Sequence, residues 1–252
     1  MTDDTRSAEK PTHHRDRMQV STRSFMLKLE EYPGWRDWNR GKFGRTLHFD
    51  DEFWRDNKGP DEFRFDPETE KQHAVVMRYF VLLQTSHELR DLEFYFRRFP
   101  YKGTPITRYA HLSNICELYF GRFYQYKERL KELFDAVKVA VPNHRLDVGK
   151  LIRLFDKEFD AEMRERHSVH HHERFEDIEI SRLFIVENVI LANQDLAKGG
   201  WDKEHKRYYS QAASKWARRC ILHSGRMDIF TEAVAQALLT ICPFLDATDT
   251  RL

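Results

Sequence analysis

Residues 104–142 read TPITRYAHLSNICELYFGRFYQYKERLKELFDAVKVAVP, and their apolar members recur at every third or fourth position. This spacing predicts an amphipathic helix, because residues three and four apart lie on one face of a helix. Thr104 with Pro105 is typical of a helix start, and Pro142 ends the pattern. The apolar positions are Leu112, Ile115, Tyr119, Phe123, Leu130, Leu133, Phe134 and Val137. The stretch therefore predicts one long helix, or two nearly collinear helices.

The segments on either side show the same period. One helix is predicted from about Pro67 to Pro100, where the proline stops the run. A further helix is predicted after Asp147, whose carboxylate is able to cap the first turn. The apolar stripe of that helix is Leu151, Ile152, Phe155, Phe159 and Met163.

The C-terminal part of the chain predicts three more helices. The first begins near Asp177 and is apolar on nearly every face, which is typical of a helix at the buried centre of a bundle. The second follows Asp202, and a break at Ser224 and Gly225 separates it from the third, which ends before Pro243. Because no stretch alternates as a strand does, the predicted fold class is an all-α bundle of about five to six helices.

The first 68 residues differ from this pattern. Residues 1–20 are predicted to be a disordered polar tail. Residues 21–68 are predicted to be an irregular, aromatic-rich arm, because their rings are set among glycines and prolines. We expect the rings to pack on the helical core, and the alternative is a base-stacking or peptide-binding surface. Residues 69–252 then form the helical domain.

Charge and cysteine content exclude several classes of protein. The formal net charge is +1, so any binding site for a polyanion must be a local patch. Cys116, Cys220 and Cys242 form no CxxC pair, which predicts reduced, buried thiols rather than a zinc ribbon or a disulfide framework. No apolar run approaches the length of a membrane span, and the N terminus has no hydrophobic signal core. A cytoplasmic protein with no membrane partner is the expectation.

Residues 162–182, EMRERHSVHHHERFEDIEISR, contain a cluster of four histidines, His167, His170, His171 and His172. The cluster lies where one predicted helix ends and the next begins. Three interpretations fit it: a metal site, a proton-transfer site for phosphate chemistry, or a solvated helix end that is rich in imidazole. The neighbouring residues have to distinguish between them.

Arg166 extends the apolar stripe of its helix by one more turn. Its guanidinium is therefore predicted to point into the groove between helices, where a cation needs an anionic or polar partner. That partner is either a carboxylate of another helix, such as Glu187 or Glu117, or the phosphate of a substrate.

The spacing of Arg166 and the histidines depends on where this helix ends. Residues five apart are about 140° apart around an ideal helix, so Arg166 and His171 would not share a face. Arg166 and His170 would share one. A helix break after His167 or Ser168, which the following cap predicts, would let either histidine approach Arg166.

The run RHSVHH at residues 166–171 resembles the signature of the HEPN superfamily, which is an arginine, a polar residue, three further residues and a histidine. The continuation HERFEDIEISRL is similar to that of uncharacterised bacterial HEPN-like proteins, and it favours His171 as the motif histidine. Roughly residues 70–190 share the layout of the family, whereas the motif covers about ten residues.

The resemblance implies a homodimeric, metal-independent endoribonuclease or an RNA-binding protein, and a role as a stress, toxin or phage-defence effector is the expectation. Histidine exchanges protons near neutral pH, and arginine keeps its positive charge. The resemblance gives His171 the proton-transfer role and Arg166 the phosphate role, with His167 orienting the site and His170 in reserve. RNA or a nucleotide phosphate is the expected partner, and no cofactor or metal is expected.

Two alternatives stay open at this point. His167 and His171 are four residues apart and are able to share a metal ion, but they supply only two ligands. No HExxH motif or second histidine pair completes such a site. The other alternative is a non-catalytic helical interaction module, in which the histidine cluster is a structural helix end.

Overall fold

The computed structural model describes residues 13–47, 63–171, 177–193 and 200–246, with the backbone alone for 44–47 and 166–171. All regular structure within these ranges is helical, which confirms the predicted all-α fold. A helix with the length and apolar character of a membrane span is absent from the same ranges. The helices are α1 (His14–Glu30), α2 (Trp35–Leu47), α3 (Pro67–Arg97), α4 (Arg108–Ala140), α5 (Val148–Glu158), α6 (Asp160–His171), α7 (Ile178–Ala192), α8 (Asp202–Ile241) and a short 3-10 helix, Pro243–Leu245.

The chain divides into two compact units. Unit 1 comprises Met1–Met77, Asp135–Leu146 and Glu232–Leu252, and unit 2 comprises Arg78–Phe134 and Asp147–Thr231. The residues that carry the functional prediction all belong to unit 2.

The core of unit 2 is aromatic. Trp216 is 1% exposed and stacks on Phe96, with ring centroids 5.9 Å apart. Tyr119 and Phe120 meet the same indole edge-on, at 5.8 and 5.7 Å. Rings of this size bury a large apolar area, and the edge-to-face geometry adds to that gain. The other fully buried side chains of unit 2 include Leu82, Leu112, Phe123, Tyr126, Phe155, Phe159 and Leu183.

Carboxylate caps begin α5 and α7 where the sequence predicts them. Asp147 accepts the backbone N–H of Lys150 at 2.8 Å, and Asp177 accepts that of Glu179 at 2.9 Å. Each carboxylate satisfies an amide that has no partner within its own helix. Both predicted helix starts are therefore confirmed.

The start of α4 corrects a prediction. The helix begins at Arg108, where Thr107 caps it by accepting the N–H of Ala110 at 3.1 Å. Thr104, the predicted cap, lies in the preceding turn. Glu187 of α7 accepts another N–H of this first helical turn at 3.2 Å. The later start is therefore favoured by a contact between helices that the local sequence does not contain.

The predicted helix after Asp147 is two helices in the structure. α5 ends at Glu158 and α6 begins at Asp160, because Phe159 has φ −114° and ψ 24°, outside the helical region. The ring of Phe159 is fully buried, with its centroid 5.2 Å from that of Phe123 and 4.9 Å from that of Phe155. The break between the two helices therefore lies at a residue whose ring is buried in the core.

α8 is one helix of 40 residues, so the break predicted at Ser224 and Gly225 is wrong. A glycine costs a helix about 1 kcal/mol relative to alanine. Buried residues on both sides of the glycine outweigh that cost, because Cys220 and Met227 are fully buried and Ser224 is 5% exposed. Tertiary packing therefore overrides the local propensity.

α7 is buried on one face alone, which contradicts the prediction that it forms the centre of the bundle. Ile178, Ile185 and Leu191 are 65%, 59% and 71% exposed. An apolar helix is able to be buried on every face, but the number of neighbouring helices decides how many faces are covered. The buried residues of α7 are Ile180, Leu183, Val186 and Glu187.

Residues 14–20, predicted to belong to a disordered tail, form the first two turns of α1. The carboxylate of Glu232 accepts the backbone N–H groups of His14 and Arg15, the latter at 3.2 Å. A carboxylate at a helix N terminus satisfies unpaired amides and interacts favourably with the helix dipole. Because the cap lies 217 residues further along the chain, no local pattern reveals it.

The predicted aromatic arm contains helices, so its irregular structure is wrong for α1 and α2. Phe65 packs against His73 of α3, with ring centroids 5.2 Å apart. The division of the chain into tail, arm and helical domain stays a prediction, and Phe49, Phe53 and Trp54 lie outside the described residues. The rings of the arm form one cluster with centroids 5.1–5.9 Å apart, made of Tyr32, Trp35, Trp38, Phe63 and Phe65.

Gly225→Ala tests the continuity of α8. An added Cβ at Gly225 meets open space, and alanine favours a helix, so we expect the free energy of unfolding to rise by about 0.5–1 kcal/mol. Gly34→Ala is the control, and we expect it to lower the free energy of unfolding. Gly34 has φ +80°, where alanine costs about 1–2 kcal/mol. Urea unfolding followed by circular dichroism measures both variants. A Gly225→Ala protein less stable than the wild type would contradict a continuous helix.

Candidate functional site

The predicted motif occupies the last two turns of α6. Arg166, His167 and His170 lie within the helix, and His171 is its last residue. The side chains of residues 166–171, and the whole of His172, lie outside the described residues. The backbone therefore places the motif at the end of a helix, and the arrangement of its side chains stays a prediction.

The helix break predicted after His167 or Ser168 is wrong, because the described backbone is helical through His171. Positions four apart lie close to one helix face, whereas positions five apart are about 140° apart. Within one chain, the backbone position of Arg166 therefore shares a face with that of His170 rather than that of His171.

A buried ion-pair network holds the turn of α6 before the motif. Glu162 is 3% exposed, and its Oε1 accepts from Nη2 of Arg219 at 2.9 Å and from Nε at 3.2 Å. The same guanidinium donates to Glu165 at 3.1 and 3.4 Å. It also lies 4.9 Å from the centroid of the Trp216 ring. One arginine of α8 therefore fixes two carboxylates of α6.

His223 is the third member of the network. Its Nδ1 lies 2.8 Å from Oε1 of Glu162 and 2.5 Å from the hydroxyl oxygen of Tyr119. Because an ionised carboxylate only accepts hydrogen bonds, Nδ1 carries the hydrogen and donates. Burial raises the pKa of Tyr119, so its hydroxyl keeps its own proton. Tyr119 is itself fully buried.

Glu162 is ionised in spite of its burial. Burial alone would raise its pKa, but hydrogen bonds from His223 and Arg219, together with the charges of both, lower the pKa below its ordinary value. Donors that bond to the charged form of a carboxylate favour that form. The Glu162 anion is therefore part of the folded structure near neutral pH.

The pairing of Arg166 with a carboxylate stays a prediction, because the side chain of Arg166 lies outside the described residues. Glu162 lies four residues before Arg166, which is the spacing of an ordinary helical ion pair, but the buried network already binds it. Glu187, one predicted partner, lies with Oε1 2.8 Å from Nε2 of His205. Glu117, the other predicted partner, is exposed. The two buried glutamates are therefore engaged with side chains of α8.

The cysteines are free and buried, as the sequence predicts. Burial raises the pKa of Cys220 and that of Cys242 to about 12, and it raises the pKa of Cys116 as well. Buried thiols of this kind are unreactive. Groups of three or more His, Cys, Asp or Glu side chains that could hold a metal ion are absent among the described residues, which do not include the motif side chains.

Sequence reasoning missed the buried network. Glu162 lies three residues after Phe159 and is buried, whereas Met163, the residue predicted for that stripe, is partly exposed. A carboxylate on an apolar stripe requires a buried partner, and this signal was present in the sequence. The partners Arg219 and His223 lie one turn apart on α8, but no local pattern pairs them with α6.

No family model, no curated protein and no solved structure matches the chain. The resemblance to the HEPN superfamily therefore rests on the RHSVHH motif and on the helical layout. The all-α fold is confirmed, whereas the assignment of the chain to the superfamily stays a proposal.

Glu162→Gln tests the network through the pH dependence of stability. Because folding lowers the pKa of Glu162, its contribution is complete above the ordinary glutamate pKa of about 4.3 and is lost as the pH falls through the lower folded value. We expect the variant to lose about 3 kcal/mol at pH 7 and to show a flatter decline in unfolding free energy between pH 5 and pH 3. Urea unfolding at each pH measures both effects.

Glu165→Gln is the matched control for this experiment. Glu165 bonds to the same arginine, but its side chain is 44% exposed, so we expect a loss of less than about 1 kcal/mol. Equal losses in the two variants would show that burial of Glu162 is not what makes the network important.

Proposed function

We propose that the protein is an HEPN-like, metal-independent endoribonuclease. Arg166 binds the scissile phosphate and His171 transfers protons, while His167 orients the site and His170 is placed to take the proton-transfer role. The observation that supports the proposal most is the buried network, which occupies Glu162 in the turn of α6 directly before the motif. RNA is the proposed substrate.

RNA carries its own nucleophile, so the protein has to supply little beyond acid, base and charge. The 2′-hydroxyl attacks the adjacent phosphorus while a base removes its proton, and the 5′-oxygen of the next nucleotide leaves with a proton from an acid. The products are a 2′,3′-cyclic phosphate and a 5′-hydroxyl end. Positive charge beside the phosphate stabilises the negative charge that builds up during the attack. In a homodimer, one histidine acts as the base, the histidine of the second copy acts as the acid, and arginine supplies the positive charge.

The network supports a phosphate-binding role for Arg166. The carboxylate four residues earlier, Glu162, is held by two side chains of α8. Arg219 and His223 both bond to Oε1 of Glu162, and breaking a buried ion pair costs about 3–5 kcal/mol, so these bonds persist in the folded protein. The same bonds hold the backbone of α6 next to the motif, and a fixed backbone reduces the entropy lost when a phosphate is bound.

A homodimer accounts for the spacing within the motif. In one chain, the positions of Arg166 and His171 are about 140° apart around α6. If two copies bring their motifs into one cleft, Arg166 of one copy and the partner subunit's His171 are able to meet the same phosphate. The exposed Ile178 and Ile185 of α7 follow the motif in the chain and lie seven residues apart, on one face of the helix, where a second copy of the chain is the proposed partner.

Arg166→Ala and His171→Ala are expected to abolish RNA cleavage without loss of fold. The wild type and both variants are incubated with total cellular RNA in EDTA, and the ends of any fragments are analysed. We expect cyclic-phosphate ends from the wild type and a rate at least about 100-fold lower in each variant, since a general acid or base contributes about 10²–10⁴-fold.

Arg164→Ala is the matched control, because Arg164 is an exposed arginine of the same helix that pairs with Asp160 at 2.5 Å. This variant is expected to cleave RNA as the wild type does. Cleavage that requires a divalent metal, or equal cleavage by the wild type and His171→Ala, would contradict the proposal. His170→Ala, measured beside His171→Ala, decides which histidine carries the proton.

The exposed face of α7 also favours the alternative function, a non-catalytic helical interaction module with a structural histidine cluster. Under this alternative, Ile178 and Ile185 bind a protein partner and RNA stays intact. Both functions require this face to be covered, so its role in assembly has to be measured separately from catalysis.

Ile185→Asp is expected to convert a dimer into monomers, because a carboxylate at the centre of an apolar interface is costly to bury. Size-exclusion chromatography with light scattering measures the mass of the wild type and the variant. Ile229→Asp is the control, since Ile229 is 73% exposed on α8 and is not part of the α7 face. A wild type that is monomeric at micromolar concentration would contradict the homodimer.

A further inference from the structure

Unit 2 contains a cleft of about 420 Å³, a volume within the range of small-molecule sites. Four elements surround it: the loop between α3 and α4, the first residue of α4, the C-terminal half of α7, and the first turn of α8. Phe99, Tyr101, Ile106 and Leu191 form its apolar wall.

A chain of three polar side chains runs along the cleft. Nη1 of Arg108 lies 3.1 Å from Nδ1 of His205, and Nε2 of His205 lies 2.8 Å from Oε1 of Glu187. A guanidinium only donates hydrogen bonds, and an ionised carboxylate only accepts them. His205 therefore accepts through Nδ1 and donates through Nε2–H. With this arrangement of hydrogens, its neutral imidazole holds Arg108 in place.

The two carboxylates of the cleft already have partners. Burial would raise the pKa of Glu187, but hydrogen bonds from His205, Thr107 and a backbone N–H of α4 lower it. Asp202 pairs with Lys206, with Oδ2 2.6 Å from Nζ. The negative charges that line the cleft are therefore compensated within the protein.

The two cations that line the cleft, unlike its carboxylates, have no ion-pair partner among the described residues. Within the described part of the chain, neither Arg108 nor Lys102 has a carboxylate within ion-pair distance. The guanidinium of Arg108 lies over the rings of Phe99 and Tyr209, 5.5 Å from each centroid, and its buried Nε has no hydrogen-bond partner among the described residues. A guanidinium that has lost part of its water is stabilised by an anion.

We propose that this cleft binds a phosphate monoester with an aromatic or aliphatic body. The phosphate meets Arg108 and Lys102, and the body lies against Tyr101, Ile106 and Leu191. A phosphate monoester carries nearly two negative charges at neutral pH, which matches the two cations, and a guanidinium grips a phosphate through two parallel hydrogen bonds. This site does not depend on RNA cleavage by the α6 motif.

Isothermal titration calorimetry of the full-length protein with phenyl phosphate tests the proposal. We expect saturable binding of phenyl phosphate. Inorganic phosphate lacks the apolar body and should bind about tenfold more weakly, since burial of a ring contributes more than about 1.4 kcal/mol. Phenylacetate carries a single charge and should also bind more weakly than phenyl phosphate. Tighter binding of phenylacetate would overturn the assignment of a phosphate.

Variants of the two cations locate the bound phosphate. Arg108→Met should weaken the binding of phenyl phosphate by about tenfold or more. Lys102 is exposed, so Lys102→Met should keep the fold and weaken binding by about threefold or more. Arg207→Met is the matched control, because Arg207 is an exposed arginine of α8 that pairs with Glu204 at 2.7 Å. No saturable binding by the wild type, or wild-type affinity in Lys102→Met, would overturn the proposal.

Discussion

A buried carboxylate, Glu162, joins α6 to α8 through Arg219 and His223. Its charge is stable among aromatic rings because charged and polar donors replace the water that folding removes. Removal of a partner would leave an uncompensated charge in the core, so α6 is unable to slide along α8 without a large loss of stability. The last two turns of α6, where the histidine cluster lies, are therefore an extension of a fixed segment.

The second buried glutamate of unit 2 follows the same design. Glu187 of α7 bonds to His205, as Glu162 of α6 bonds to His223. The two histidines are eighteen residues apart, which is about five helical turns, so both lie on one face of α8. Apolar contacts alone tolerate small shifts between helices, whereas a hydrogen-bonded carboxylate accepts few geometries. One face of α8 thus determines the positions of both α6 and α7.

α7 contributes residues to both proposed sites, the phosphate-monoester cleft and the surface that follows the histidine motif. One of its faces carries Glu187 and borders the cleft, while another leaves Ile178 and Ile185 exposed directly after the motif. An apolar residue gains the same free energy from burial against its own chain or against a second copy. The composition of α7 is therefore compatible with a bundle centre and with an interface, and the observed exposure contradicts the bundle centre.

Three features were predictable from local sequence alone: the all-α class, the starts of α5 and α7 at Asp147 and Asp177, and the position of the histidine cluster near the end of a helix. Each of these depends on residues within a few positions of one another, so apolar period and capping were sufficient. Three others follow from tertiary packing: the helix break at Phe159, the burial of Glu162, and the exposure of one face of α7. These features depend on partners far away in the chain, and the free energy of a buried charge or ring is set by such partners rather than by local pattern.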